Sequence, residues 1–396
     1  MKNKMYKRIA ISEIGSIVSG ATPKTSDATN YGGDIPWLTP ADLSGYTNKY
    51  IERGARNISK KGYDSCSTQI MPAGSILFSS RAPIGYVAIA ANPICTNQGF
   101  KSIVPNKNVD SEFLFYQLKF LKNQIADLGR GTTFKEISGK TLGSVEIVLP
   151  NLKEQKRIVN KIEELFSELD SAVETLKKSK EQLAVYRQSV LKEAFAQFSH
   201  KEKIKDLSEF VTSGSRGWAQ YYSDDGARFI RITDLTRDRI VLKNDDIQYV
   251  ALPDNVEGKR SRLKPNDILV SITADLGSIA LIPKDIQEAY INQHIALVRL
   301  SNPKIAKFTA LYLKSDWGQK DLLKNKRGGG KMGLGLDDIR NTPIPVVSTD
   351  IANKIVSQIE SRLSACENIE KTVNDALIQA DAMRQSILKK AFEGGL

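Results

Sequence analysis

The chain has 396 residues, 41% hydrophobic and 26% charged, the make-up of a water-soluble globular protein too long for one core. Its formal charge of +12 and pI near 9.3 point to a polyanionic partner, and three widely spaced cysteines (Cys66, Cys95, Cys366) argue against a disulfide framework and for a reducing, cytoplasmic setting. No apolar run approaches the roughly 20 residues that cross a membrane, and Met1 to Arg8 lead into a short alternating segment instead of a secretory core.

In chain order, residues 1–150 read as a mixed α/β block. Short apolar runs at 75–80 and 86–91, bounded by Gly, Pro, Asn or Asp, predict strands, and 111–128 has helical spacing. Residues 151–199 predict one long helix. An apolar stripe recurs at Ile158, Ile162, Leu165, Leu169, Ala172, Leu176, Ser179, Leu183, Tyr186 and Val190. A 3.5-residue period held that long means a coiled coil, because it keeps the seam on one face. Asn151 with Glu154 three residues later predicts the capping box that starts it.

A second mixed block covers 200–349, with strands expected at 268–272 and 279–282 and a helix at 306–323. Residues 350–396 predict a second long helix, striped by Ile355, Ile359, Cys366, Ile369, Val373, Ala376, Ala380, Met383 and Ile387 and stopped by Gly394-Gly395. At about 45 residues each helix spans roughly 65 Å, more than one small core can cover. Two such helices in one chain are expected to pair.

Self-comparison divides the chain into two modules. Arg187-Gln188-Ser189-Val190-Leu191-Lys192-Glu193-Ala194-Phe195 returns as Arg384-Gln385-Ser386-Ile387-Leu388-Lys389-Lys390-Ala391-Phe392, seven identities in nine at an offset of 197. Nearer the front, Ser75 to Ser79 answer Asp267 to Ser271, Gly85 answers Gly277, and Asn97-Gln98 answer Asn292-Gln293. The charge follows the same division: net +7 over 1–150 and +5 over 200–349, against +1 over 151–199 and −1 over 350–396. The polyanion is therefore expected on the two mixed blocks.

Catalytic signatures are lacking. There is no Asn/Asp-Pro-Pro-Tyr/Phe motif for amino-methyl transfer and no recognisable Gly-rich turn for S-adenosylmethionine. Arg327 to Gly333 lack the order in which backbone amides and a hydroxyl surround phosphate and magnesium. Asp254 and Glu257 carry the letters of a nuclease, yet lie in one turn-like segment instead of on separate strands. His200 and His294 have no Cys or His at metal spacing, and Cys366 on the seam reads as a small core residue. Two other readings stay open at this point: a stand-alone DNA-modifying enzyme with an unrecognised active site, and a coiled-coil scaffold that ignores DNA.

An ordered set of motifs narrows these. Ile17 to Pro23, Ile35 to Leu43 with its partner Arg228 to Leu235, Gly131 to Ile137, and the helix entry Leu149-Pro150-Asn151-Leu152-Lys153-Glu154-Gln155-Lys156-Arg157-Ile158-Val159 together resemble the specificity subunit of a type I restriction–modification system, over essentially the whole chain. Two segments depart from the pattern. The second helix opens Val346 to Ile351 without a Glu-Gln pair, and Ser215-Arg216-Gly217-Trp218 stands where the first half has Thr-Pro.

The resemblance implies two target-recognition domains, 1–150 and 200–349, separated by two long antiparallel coiled-coil helices in an internal pseudo-twofold repeat. Each domain would read half of a split double-stranded DNA target. The helices would act as a ruler and as a dock for two modification (methyltransferase) subunits, which endonuclease/translocase subunits join. The chain itself would carry no catalytic residue, metal or cofactor; S-adenosylmethionine, ATP and magnesium would belong to those partners. Half-site centres are expected about one helical turn apart, roughly 10 base pairs.

Candidate DNA contacts are polar or basic residues in Gly-rich or turn-like stretches. In the first block they are Lys24, Thr25, Arg81, Gln98, Arg130, Thr132, Thr133 and Lys135; in the second, Arg216, Trp218, Arg237, Asn292, Gln293, Lys326, Arg327 and Lys331. Trp37 is expected in a core, and a shared structural role competes with base reading at the Asn-Gln pairs.

Overall fold

The computed structural model describes residues 6–131, 135–253, 259–324, 326 and 333–395. The chain forms two compact units, one of residues 1–175 with 376–396 and the other of residues 176–375. Each unit combines one mixed block with a stretch of both long helices.

In the first unit an antiparallel sheet runs in the order Gly15–Ser19, Lys101–Pro105, Ile76–Ser80, Ile84–Ala90, with Tyr50–Ile51 added in parallel at the edge. A smaller sheet orders Arg56–Ile58, Tyr31–Leu38 and Cys95–Thr96. Alternation along Ile76–Ser80 sends successive side chains to opposite faces. Ile76 and Phe78 join a core with Phe113 and Leu114 of helix Ser111–Asp127 and with Ile158, Ile162, Leu388 and Phe392 of the long helices; Leu77 joins Leu38, Ala88 and Phe100. Strand Arg8–Ala10 pairs antiparallel with Glu146–Val148, so the block begins and ends side by side.

The second unit repeats this plan. Its main sheet runs Ser208–Ser213, Ile295–Leu300, Ile268–Ser271, Ile279–Leu281, and its smaller sheet pairs Ala227–Ile230 in parallel with Ala289–Ile291. Ile268 and Val270 face Phe308, Tyr312 and the long helices, while Leu269 and Ala280 face the other way. The expected helix over 306–323 is two helices, Ala306–Lys314 and Asp316–Leu322. Ser315 breaks it: its hydroxyl accepts from the Gly318 amide at 3.2 Å and so caps a new helix.

The long helices run Leu152–Phe195 and Thr349–Phe392. Asn151 caps the first, its side-chain oxygen accepting from the Glu154 amide at 3.0 Å, while the Glu154 carboxylate accepts from the Tyr6 hydroxyl at 2.9 Å. Gln155 is fully buried and locks the helix onto its block, accepting from the Asp110 amide and donating to the Asn108 and Pro150 carbonyls at 2.7–3.0 Å. The second helix, lacking the Glu-Gln pair, buries Ala352 at the equivalent position, 1% exposed. An apolar methyl needs no partners there, which is what the departure in sequence amounts to.

Within each unit the two long helices lie antiparallel. In the first unit Arg384 pairs with Asp170; in the second Arg187 meets Glu370 at 2.7 Å and Arg362 meets Glu193 at 2.8 Å. The heptad stripe is real but shifted in places. Tyr186, Ile369 and Met383 are 42–54% exposed, whereas Arg187 next to Tyr186 is 9% exposed and Glu370 next to Ile369 is half-buried. An ion pair between the helices occupies the seam there and turns the neighbouring apolar side chains outward. Val185 and Ile378 are exposed too, at 71% and 70%. Among the described residues no helix is long and apolar enough to cross a membrane.

Candidate nucleic-acid interface

In the first unit four loops meet at one edge of the main sheet. The turn between Ile76–Ser80 and Ile84–Ala90 passes through Arg81-Ala82-Pro83 with Ala82 at φ +52°, and Ser79 holds it shut. The Ser79 hydroxyl donates to the Pro83 carbonyl at 2.7 Å and accepts from the Tyr86 amide at 2.8 Å. Beside it the Ser80 amide donates to Gly99 O at 2.7 Å, and the Ile137 amide donates to Ser80 O at 3.1 Å. Arg130 and Glu136 exchange both backbone bonds at 3.0 Å, which sets residues 136 and 137 beside the turn. The fourth loop starts at Ala21, whose amide donates to Thr96 O at 3.0 Å.

The second unit builds the same edge from different residues. Ala274 has φ +56°, and Ser271 donates to Asp275 O while accepting from the Ser278 amide at 2.8 Å. The Ile272 amide donates to His294 O and the Leu334 amide to Ile272 O, both at 2.9 Å, and Ser215 bridges Asn292. His294 is a fixing residue in this loop: Nδ1 meets the Thr273 hydroxyl at 2.7 Å and Nε2 meets the Gln293 amide at 3.0 Å.

Glycine is required where the loop at Ala21 and the loop at Asn97, and their counterparts in the second unit, touch. A Cβ on Gly20 would lie 2.1 Å from Asn97 O and 2.2 Å from Thr96 O; on Gly214 it would lie 1.9 Å from Ile291 O. The Asn-Gln pairs sit against these glycines. The Asn97 side-chain oxygen accepts from the Gly99 amide at 2.9 Å, and that of Asn292 from the His294 amide at 3.1 Å. Each thus closes a local Asx turn, the shared structural role, and Gln98, exposed and accepting from the Thr22 hydroxyl, is the member that reaches solvent.

The candidates distribute as follows. Lys24, Thr25, Gln98, Arg130 and Lys135 are exposed on the first edge, as are Arg216 and Lys326 in the second unit. Tyr31 and Asn30 hold the loop of Lys24 by donating to Pro23 O and Lys24 O at 2.8 and 3.0 Å. Arg81 is half-buried, 3.7 Å from Glu136. Arg237 is exposed but engaged, pairing with Asp275 at 2.6 Å and donating to Leu276 O at 2.9 Å. Asn292 and Gln293 are half-buried. Thr132, Thr133, Arg327 and Lys331 lie outside the described residues, as do Asp254 and Glu257. Trp218 is a correction: it is 4% exposed, packed on Phe229 and Tyr290 at 5.7 and 5.2 Å. A short helical turn, Trp218–Tyr221, swings its ring into a satellite core, away from any groove. Trp37 is buried as expected, its indole nitrogen donating to Ala21 O at 3.1 Å.

Further basic residues escaped the sequence reading. Arg56 stacks over the Tyr31 ring at 5.3 Å and, with Arg53, lines a shallow hollow by the loop of Lys24. Arg260, Arg262 and Lys264 are exposed while Ser261 and Leu263 between them are buried. They share a hollow with Phe210 and Arg299, whose guanidinium is held by Asp267 at 2.5 Å. Alternating basic residues at 260, 262 and 264 were the available signal. Among the described residues no group of three or more His, Cys, Asp or Glu could hold a metal ion.

Comparison with known proteins agrees with this duplicated construction. The type I restriction modification DNA specificity domain matches twice, over residues 3–183 and 201–379. The specificity subunit of the type I restriction enzyme MjaIX of Methanocaldococcus jannaschii is 31% identical over 419 residues, covering 98% of this chain and 92% of that one. That of EcoBI from Escherichia coli is 25% identical, covering 99% and 86%. Among solved structures, a chain of a type I restriction–modification assembly aligns over 99% of both chains with TM-score 0.73 at 17% identity, and the HsdS subunit of Thermoanaerobacter tengcongensis over 99% and 97% with TM-score 0.57. Two matched domains, a full-length relative above 30% identity and a duplicated loop edge lead to one conclusion: the chain belongs to the type I restriction–modification DNA specificity family.

Proposed function

We propose that the chain is a non-catalytic reader that recognises a bipartite double-stranded DNA target, one half per unit, and brings two methyltransferase subunits and the endonuclease/translocase subunits to it. The observation that carries this is the loop edge formed twice, by matching main-chain bonds around Ser79 and Ser271 but with different side chains. A common frame with divergent loops suits two readers of unlike sequences. Exposed Lys24, Arg130, Lys135 and Arg216 supply phosphate attraction, and neighbouring polar groups supply base contacts. The outward apolar residues of the long helices, Val185, Tyr186 and Ile369 in one unit and Ile378 and Met383 in the other, suit docking of the methyltransferase subunits. S-adenosylmethionine, ATP and magnesium then belong to those partners, and the complex works in the cytoplasm.

Base-resolved methylation mapping of a genome carrying the intact system tests the reading. The expected outcome is a split motif, of which exchange of residues 6–150 for those of another specificity subunit alters one half alone. A continuous motif, or methyl transfer by the purified chain with DNA and S-adenosylmethionine, would overturn it.

A further inference from the structure

Residues 236–241 of the second unit form a finger that grips at two places. Its base closes where Leu235 bridges Leu242 antiparallel, and the Thr236 hydroxyl donates to Arg239 O at 2.9 Å. Arg237 reaches the turn at Ala274, setting its guanidinium 2.6 Å from the Asp275 carboxylate and donating to Leu276 O at 2.9 Å. Arg239, two residues on, reaches the second long helix, meeting Glu370 at 3.1 Å and Glu367 at 3.4 Å. Glu370 is the same carboxylate that Arg187 of the first long helix holds at 2.7 Å. One short segment therefore ties a loop of the candidate DNA edge to the seam between the helices.

The turn needs an outside hold. Ala274 sits at φ +56°, unfavourable for a residue with a Cβ, and such a conformation persists only where its surroundings fix it. Within the turn, the Asp275 carbonyl accepts from the Ser271 hydroxyl, and one carboxylate oxygen accepts from that of Ser278 at 2.9 Å. Arg237 takes the other carboxylate oxygen. The finger itself is held more by charge than by packing. A cavity of about 290 Å³ is lined by its residues Asp238 to Val241 together with Leu191, Leu311 and Leu363, so the apolar contact beneath it is incomplete. Arg237 and Asp275 are exposed, so their pairing adds little to global stability, yet the forked contact fixes a direction. The first unit is built otherwise. Lys49, in the segment after the matching motif, grips Glu163 of the first long helix and Glu112, whereas Arg81 in the turn faces Glu136 at 3.7 Å. Segment and turn have separate anchors there.

We propose that Arg237 and Arg239 are positioning residues for base reading at the half-site of the second unit: the finger sets the turn at Ala274 in fixed relation to the long helices. The half-site of the first unit has no such dependence. This rests on the reading above, that the loop edges contact DNA. Arg237 then acts on the duplex through the turn, because its charge is already answered within the protein.

The test measures binding of the full chain, in its assembled modification complex, to duplexes with the mapped target or a single base change in either half. Arg237→Gln and Arg239→Gln should each lower discrimination at the second unit's half-site by roughly 2- to 30-fold, the span of coupling substitutions. The double variant should lose no more than the worse single one, since the finger acts as a unit. Discrimination at the other half-site, the slope of affinity against salt and the melting temperature should keep their parental values. Arg237→Lys retains the charge without the fork and should recover part of the loss. Unchanged discrimination in the double variant would sink the finger. So would weaker binding at both half-sites with a shallower salt slope, which would make Arg237 a phosphate contact. Additive losses, or losses that follow a lowered melting temperature, would also overturn it. If the unaltered complex has no split target, it is the proposed function that fails.

Discussion

A methyl group on Gly214 would enter the space of the Ile291 carbonyl, which belongs to a strand and cannot yield cheaply. Gly214→Ala is therefore expected to cost roughly 1–3 kcal/mol or more, the range of overpacked sites, and to lower the melting temperature. Gly217→Ala is the comparison, because nothing lies within 4 Å of its Cβ position although its φ of +75° adds strain. Equal melting of Gly214→Ala and the parent would contradict the close approach. At this scale the sequence was half legible. The recurrence of Asn97 and Asn292 identified a structural pair, because backbone-fixing residues must repeat when a frame repeats. Trp218 misled, since an aromatic residue in a Gly-rich stretch looks alike whether it serves the loop or a ligand.

At the scale of elements, the 3.5-residue stripe revealed both long helices and hid part of their seam. Arg187, Glu370 and Arg384 sit on or beside the inter-helix face, and a search for apolar residues passes over them in favour of their neighbours. The ion pair has a pH signature. Hydrogen bonding from Arg187 holds the Glu370 carboxyl below the usual carboxylate range, burial opposing it. Such a group adds stability above its unfolded value near 4.3 and loses it as pH falls through the lower folded value. Glu370→Gln should thus lower the melting temperature at neutral pH and narrow the gap to the parent between about pH 5 and 3. A gap that is constant over this range would count against the pairing. A second consequence concerns length. Removing one heptad from both helices shortens each by about 10 Å, or three base pairs at 3.4 Å per step. The tolerated spacer in the target should shrink accordingly while both half-sites keep their sequence; altered half-sites would refute the ruler role.

For the whole molecule, the duplication was legible because the helix ends are nearly identical in sequence, and the recognition blocks were not, because their loops differ in everything but the frame. The division into units was hidden for a simpler reason. The first unit is made of residues 1–175 and 376–396, so its core includes Leu388, Ala391 and Phe392 from the far end of the chain. A chain cut after residue 375 keeps every residue of the second unit. Such a fragment should show native-like amide protection in 176–375 and lose it in 6–148; protection in both would contradict this division.

That discontinuity also orders events during synthesis. A ribosome must deliver nearly the whole polypeptide before the earliest-made segment can seal its interior against Phe392, whereas residues 176–375 are complete sooner. The part translated first is the part that finishes last, and until then its unsealed apolar surface is the one a chaperone would meet.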